Sequence, residues 1–292
     1  MGTVGLGAIA STLETSPACS TGNPLLKRGR PMADIALGAG DRSNIDSTTG
    51  AAQLAHRTSV ALAAIEQAGD RFMETARSLD ELSIHGPSLL PGWTRAHVIS
   101  HVARNADGFL NLLRWARTGV EHPMYASASD RDADIEEGAV RGRQLLLEDL
   151  AASCERFARA ACELPVWAWT AEVLDWAGDP IPAHGVLRGR LLELWVHLVD
   201  LDHGFGFDDI PRPDVEEILE DVVQQFGGRH DVPALTVVVD FDGRERSWEL
   251  RGTTSRPSQV HGDPGAMLGW LLGRTSGERL TGDPLPTLPP WL

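Results

Sequence analysis

Leu191–Asp202 reads LLELWVHLVDLD. On a helical period of about 3.6 residues, Glu193 and His197 stand one turn apart and point the same way. Leu191, Leu194, Trp195, Leu198 and Leu201 make most of the remaining circumference apolar, which predicts a largely buried helix. A carboxylate and an imidazole buried together are costly unless something neutralises them, and a divalent metal does so. The same spacing sets the two histidines of the H-E-x-x-H zinc motif. On this helix alone two readings stand: a pair of metal ligands, and a Glu–His hydrogen bond inside a helix bundle.

A second stretch carries ligand-type residues at the same spacing. Thr94–Asn105 reads TRAHVISHVARN, with His97 and His101 four residues apart behind a plausible N-cap, Thr94. One histidine from this helix would complete three protein ligands with an open position, the arrangement of catalytic zinc. Helix bundles build metal sites in this way, from side chains on facing helices.

Working outward, Leu54, Ala61, Leu62, Ile65, Phe72 and Leu79 predict a helix over Gln53–Leu79, broken by SIHGPSLLPGW. The Thr94 helix extends to about Thr118. A loop with Pro123, Met124 and the only tyrosine, Tyr125, leads to a third helix, Arg131–Glu163. A connection bearing Trp167, Trp169 and Trp176 ends in the turn signal GDPIPA, and the helix with Glu193 and His197 covers about Ala183–Leu201. Four helices with intervening loops predict a four-helix bundle over residues 51–210. After GFGFDDIPRP the pattern changes to a helix (Asp214–Phe226), a hairpin turning at Asp242-Gly243 and a short helix (Ala266–Leu272). Residues 211–292 therefore read as a small C-terminal α+β domain. Residues 1–50, rich in Gly, Ser, Thr and Ala, read as a disordered leader, with Met32 an alternative start.

With 292 residues, the chain suits two domains better than one. Its 42% hydrophobic and 23% charged residues are those of a soluble globular protein. A net charge of −15 argues against nucleic acid and against an anionic membrane surface as partners. No apolar run approaches the ~18–20 residues of a membrane span, and no basic segment precedes the short apolar patch at the start. A cytoplasmic location is expected. Of three cysteines, Cys154 and Cys162 share a predicted helix about 12 Å apart, too far for a disulfide. Both read as small buried hydrophobes in a reducing compartment; neither looks like a zinc ligand or a nucleophile.

The stretches LLPGWTRAHVISHVARNADGFLNLLRWARTG, PMYAS and ELWVHLVDL together resemble the mycothiol-dependent maleylpyruvate isomerases, DinB-like metal-binding bundles with an added C-terminal α/β domain. The likeness runs from about Ala52 to the end. It implies zinc held by His101, Glu193 and His197, and it matches Arg131 and Arg274 to arginines tied to activity. It further implies mycothiol as the thiol cosubstrate and the cis–trans isomerisation of maleylpyruvate, a dianion, to fumarylpyruvate in gentisate degradation. Each residue also has a plainer reading. Arg131 caps or pairs within DRDAD, Arg274 complements a helix C-terminus, and Asp200 either orients an imidazole or is an exposed helix-end charge. His97 reads as a bystander and His203 as structural. Two other functions share the scaffold: a mycothiol S-transferase acting on another electrophile, and a non-catalytic metal-binding module. Oligomeric state stays open, a monomer included.

Overall fold

The computed structural model describes residues 42–252, 257–282 and 285–291. Met32 and most of the expected leader lie outside them. Helix α1 (Arg42–Ser78) starts ahead of the first periodic residue, Leu54, and lays Ile65, Ala68, Phe72, Ala76 and Leu79 into the core. The single turn α2 (Glu81–Ile84) leads to α3 (Arg95–Thr118), which is capped at both ends. Thr94 accepts from the His97 N–H at the start, and Gly119 closes the helix in the left-handed conformation, φ 70°. Val98, Ile99, Val102, Ala106, Leu112 and Leu113 are buried around most of the circumference of α3, so it is the axis of the bundle.

The expected third helix is two helices, α4 (Ala128–Ala139) and α5 (Arg143–Cys162). Glycines at 138 and 142 weaken helix continuity between them. The break is fixed from outside: the Arg143 guanidinium donates to the carbonyls of Leu79 and Arg77, and its N–H to the Glu81 carboxylate. These bonds hold the start of α5 against the end of α1. A Cβ at Gly138 would stand 2.1 Å from Ser100 Oγ, so the α3–α4 contact requires glycine there.

The Trp-bearing connection contains a small antiparallel hairpin, β1 (Glu172–Leu174) with β2 (Pro180–Pro182). Asp175 Oδ1 accepts the N–H groups of Ala177 and Asp179, closing the turn that carries Trp176. Helix α6 (Gly185–Asp200) follows and packs on α3. It is buried over Val186, Leu187, Leu191, Leu194, Trp195 and Leu198, as its composition requires.

Helix α7 (Arg212–Gly227) leads into a three-stranded sheet. Strands β3 (Leu235–Phe241) and β4 (Arg244–Leu250) are antiparallel and joined by Asp242-Gly243, with φ 56° and 87°, the turn that matches strand twist. Strand β5 (Ser258–Gly262) is parallel to β3. Its sequence, SQVHG, lacks period-two alternation, and sequence reading passed over it. Helix α8 (Pro264–Leu271), capped by Asp263, packs against β3 and β5. The result is a helical bundle with a small C-terminal sheet domain, and one continuous apolar core runs through both. Among the described residues no helix is long and apolar enough to cross a membrane.

Candidate metal centre

Helices α3 and α6 bring His101, Glu193 and His197 together. Glu193 Oε2 lies 2.9 Å from His101 Nε2 and 3.1 Å from His197 Nε2. The two imidazoles meet edge to face, with centroids 4.5 Å apart. The side chains of His101, Glu193 and His197 are 6%, 17% and 12% exposed, so the group is largely buried.

Hydrogen-bond chemistry assigns the protons. An ionised carboxylate only accepts, so the His101 Nε2 hydrogen-bonded to Glu193 donates to it, while His197 Nε2 stands close by as its ion-pair partner. His197 Nδ1 lies 2.9 Å from Asp200 Oδ2, a second carboxylate, and must donate as well. His197 is then an imidazolium. Burial works against that charge, but the bonds to Asp200 and Glu193 outweigh it and raise its pKa to about 9. His101 differs because its Nδ1 faces a donor, Arg131 Nη2, at 3.4 Å. Burial, then the charge on His197, push its pKa down, and it is neutral. Burial alone would raise the pKa of Glu193, yet its bonds from the two histidines hold it well below the carboxylate range.

The donor set fits a divalent ion. One oxygen and two imidazole nitrogens, all within 4.8 Å of one another, are the ligand types of a borderline-soft cation such as zinc. Ligation would displace the two Nε2 protons, exchanging a shared proton site for a metal. Among the described residues, His101, Glu193 and His197 are the group that could hold an ion.

Asp200 is not an exposed helix-end charge. Its side chain is 0% exposed, and Arg274 grips it in bidentate fashion, Nε to Oδ1 at 3.1 Å and Nη2 to Oδ2 at 3.0 Å. Burial raises the pKa of Asp200, but the bonds from His197 and Arg274 more than offset this and keep it ionised. Arg274 lies beyond α8, where its Nη1 also donates to the Leu272 carbonyl, so a residue of the sheet domain reaches the histidine of α6 through one carboxylate.

Arg131, in the first turn of α4, pairs with Asp132 at 2.7 Å and turns its other arm to His101. Both the local ion pair and the approach to the triad are therefore present. Its guanidinium carbon stands 5.9 Å and 5.6 Å from the ring centroids of Tyr125 and Trp176, which themselves meet edge to face. His97 is elsewhere: its Nδ1 accepts from the Thr94 N–H as part of the helix cap, and its Nε2 faces Glu136 at 3.3 Å. Trp93 stacks on the His97 ring and tilts toward that of His101. His203 is exposed. The cysteines depart from expectation, Cys154 being half-buried and Cys162 exposed, because Cys162 is the last residue of α5, at the open end of that helix.

Sequence reading missed three groups. Tyr125 and Trp176 sit in loops with no period to reveal them. Arg190, one turn before Glu193, is 2% exposed and donates to the Val102 carbonyl, Asn105 Oδ1 and Cys154 Sγ. An arginine within an otherwise apolar helical face was the available signal. A groove of about 750 Å³ lies between α1 and the segment after α6, lined by Arg71, Glu74, Trp195 and Phe205. No member of the triad lines it, and Arg71 and Glu74 on its wall pair with each other.

A family model for the N-terminal domain of mycothiol maleylpyruvate isomerase matches residues 65–202, and one for the family's C-terminal domain matches 209–290. A crystal structure of the mycothiol-dependent maleylpyruvate isomerase superposes with TM-score 0.73 at 28% identity, over 80% of this chain and 97% of that one. A histidine-to-alanine mutant of that enzyme gives TM-score 0.74 at 27% identity, with the same coverage. No curated protein matched the chain. Two consecutive domain matches in the family's own order, on a fold shared over almost the whole length of its crystal structures, mean that the chain belongs to the mycothiol-dependent maleylpyruvate isomerase family of enzymes.

Proposed function

We propose that this protein isomerises maleylpyruvate to fumarylpyruvate with mycothiol as cosubstrate, in gentisate breakdown, and that His101, Glu193 and His197 hold its metal, zinc by preference. The observation that carries the reading is the meeting of these three side chains with Arg131 beside His101, in a chain of this family. When bound, zinc supplies an open position at which a thiol is favoured as its nucleophilic thiolate.

The remaining work falls to the chain. The thiolate sulfur bonds to one alkene carbon, and the π electrons move onto the conjugated carbonyl oxygen. Rotation about the new single bond follows. The enolate electrons then return, the C–S bond breaks, and the thiolate leaves the trans isomer. No protein cysteine is needed. Arg131 offers the cation nearest the triad for a substrate carboxylate, and in a chain of net charge −15 such a local cation is required to hold a dianion. Arg274 is already committed to Asp200, so we assign it a positioning role, orienting His197 through that carboxylate. The same reading divides the chain into a metal-binding bundle, 51–210, and a C-terminal α+β domain, 211–292, that supplies Arg274.

Thiol transfer to another electrophile would use the same metal and thiol, so stoichiometry separates the two. The isomerase turns over maleylpyruvate without consuming mycothiol, whereas a transferase consumes one thiol per product. Arg131→Ala is expected to lower kcat/KM on maleylpyruvate about 10²-fold, the usual loss of one electrostatic stabiliser, while metal content stays at the wild-type level. Mycothiol consumption in step with product would overturn the isomerase reading.

A further inference from the structure

We propose that Trp176 is a positioning residue of this site: its ring, carried on the tip of the β1–β2 hairpin, holds the Arg131 guanidinium beside His101 for a substrate carboxylate. The inference deepens the isomerase reading and rests on the use of Arg131 in it.

The first argument is position. Trp176 is 46% exposed, a large apolar side chain left out of the core. A single exposed tryptophan is ordinary, but this one is aimed at a cation. Its ring centroid lies 5.6 Å from the guanidinium carbon of Arg131, within the range of a cation–π contact. Arg131 Nη2 in turn lies 3.4 Å from His101 Nδ1. One guanidinium therefore links the indole to the candidate metal ligands.

The second argument is rigidity, without which a hairpin tip could position nothing. At the base of the hairpin Val173 is fully buried, and the N–H groups of Ala183 and His184 donate to the carbonyls of Ala171 and Trp169. At the tip the Asp175 N–H donates to the Asp179 carbonyl and the Gly178 N–H to the Asp175 carbonyl. Asp175 Oδ1 accepts from Ala177 and Asp179 as well, so the turn around Trp176 is bonded from both its backbone and a side chain. The ring is braced too. Tyr125 meets it edge to face at 5.3 Å, and Tyr125 is seated against α3, where a Cβ at Gly108 would stand 3.3 Å from its Cζ.

The third argument is the kind of restraint. Asp200 grips Arg274 with two hydrogen bonds, which occupy its donors and cancel its charge. An aromatic face attracts a guanidinium without cancelling its charge or using its N–H groups for a carboxylate's oxygens. The ion-pair partner of Arg131, Asp132, takes Nη1 but is itself 66% exposed, so solvent screens that pair. Held by a ring, Arg131 remains a cation with donors left for a substrate. The indole also keeps water from one side of the guanidinium, which strengthens its attraction for an anion.

The test has two parts. In the first, heptanedioate, a saturated dianion, is titrated into zinc-loaded wild type, Trp176→Leu and Trp176→Phe. Trp176→Leu is expected to weaken binding about fivefold, the loss of one cation–π contact, and Trp176→Phe to recover most of that loss. Zinc content and thermal midpoint should stay at wild-type values. In the second, kcat/KM for maleylpyruvate at saturating mycothiol is measured for Trp176→Leu, Arg131→Ala and the double variant. Trp176→Leu should cost about fivefold alone and less than about 1.5-fold on top of Arg131→Ala, because a residue that acts through a partner has no effect without it. Equal losses for Leu and Phe, or an undiminished loss in the Arg131→Ala background, overturn the proposal and leave the isomerase reading intact. Loss of zinc or of thermal stability in Trp176→Leu makes the residue structural and overturns it too, as does wild type that fails to bind the dianion. Absence of isomerisation in wild type overturns the isomerase reading, and the titration then decides the proposal by itself.

Discussion

Asp200 decides how much of this site depends on side chains that never touch a substrate. It is fully buried, bonded to His197 Nδ1 on one side and held by two nitrogens of Arg274 on the other. A buried carboxylate stripped of its cation is strongly unfavourable. Replacing Arg274 should therefore disturb Asp200 first and His197 through it. Arg274→Met and Asp200→Asn are each expected to weaken zinc binding about 10-fold or more, the usual effect of losing a group that orients a ligand. If Arg274 acts through Asp200, the double variant is no weaker than the worse single one. Chelator competition on the three variants is the measurement, and additive losses would separate the two residues. The histidines divide in the same way. His101→Ala should lose both metal and activity, while His97→Ala, which removes a helix cap, should retain its metal and lose about 1 kcal/mol of stability.

At the scale of elements, the contact between α6 and α7 carries an acid that folding makes weaker. Asp221 on α7 is paired with Arg188 on α6 at 2.9 Å. Burial raises the Asp221 pKa to about 6; Glu217 and Glu220 add to the rise and Arg188 opposes it. The folded value lies above the unfolded 3.8, so the folded state binds more protons between the two. This contribution to stability is complete below about pH 4 and is lost as pH rises through about 6. Asp221→Asn removes the ionisation, so its stability relative to wild type should improve from pH 4 to pH 8 by on the order of 2 kcal/mol. Urea unfolding at both pH values checks the sign, and a difference independent of pH would show that Arg188 neutralises Asp221 fully.

Across the whole molecule, bundle and sheet domain are linked twice, by a continuous apolar core and by the Arg274–Asp200 pair next to the candidate metal ligands. A ligand that binds only the folded state stabilises every part that unfolds with its site. Zinc bound to the bundle should therefore protect the sheet domain too. Calorimetry is expected to give one cooperative transition, moved several degrees downward by a chelator. Two transitions, with only one sensitive to the chelator, would mean that the domains melt independently and that the pair transmits little between them.

The elements written locally in the chain are legible without the fold. Apolar residues repeating at helical spacing mark α3 and α6, Thr94 marks a cap, and Asp242-Gly243 between alternating runs marks the β3–β4 hairpin. The spacing of Glu193 and His197 already places them on one face, because a helix fixes where residues four apart point. Spacing did not choose between His97 and His101; family resemblance did, and the structure commits His97 to the Thr94 cap. The break between α4 and α5 depends on Arg143 finding carbonyls more than sixty residues away, and β5 is a strand because β3 lies beside it. Asp200 and Arg274 meet across 74 residues, and Tyr125 meets Arg131 and Trp176 from loops without any period. Short-range geometry repeats along the chain and can be read there, whereas a long-range partner is chosen by packing, which appears only when the chain has closed on itself.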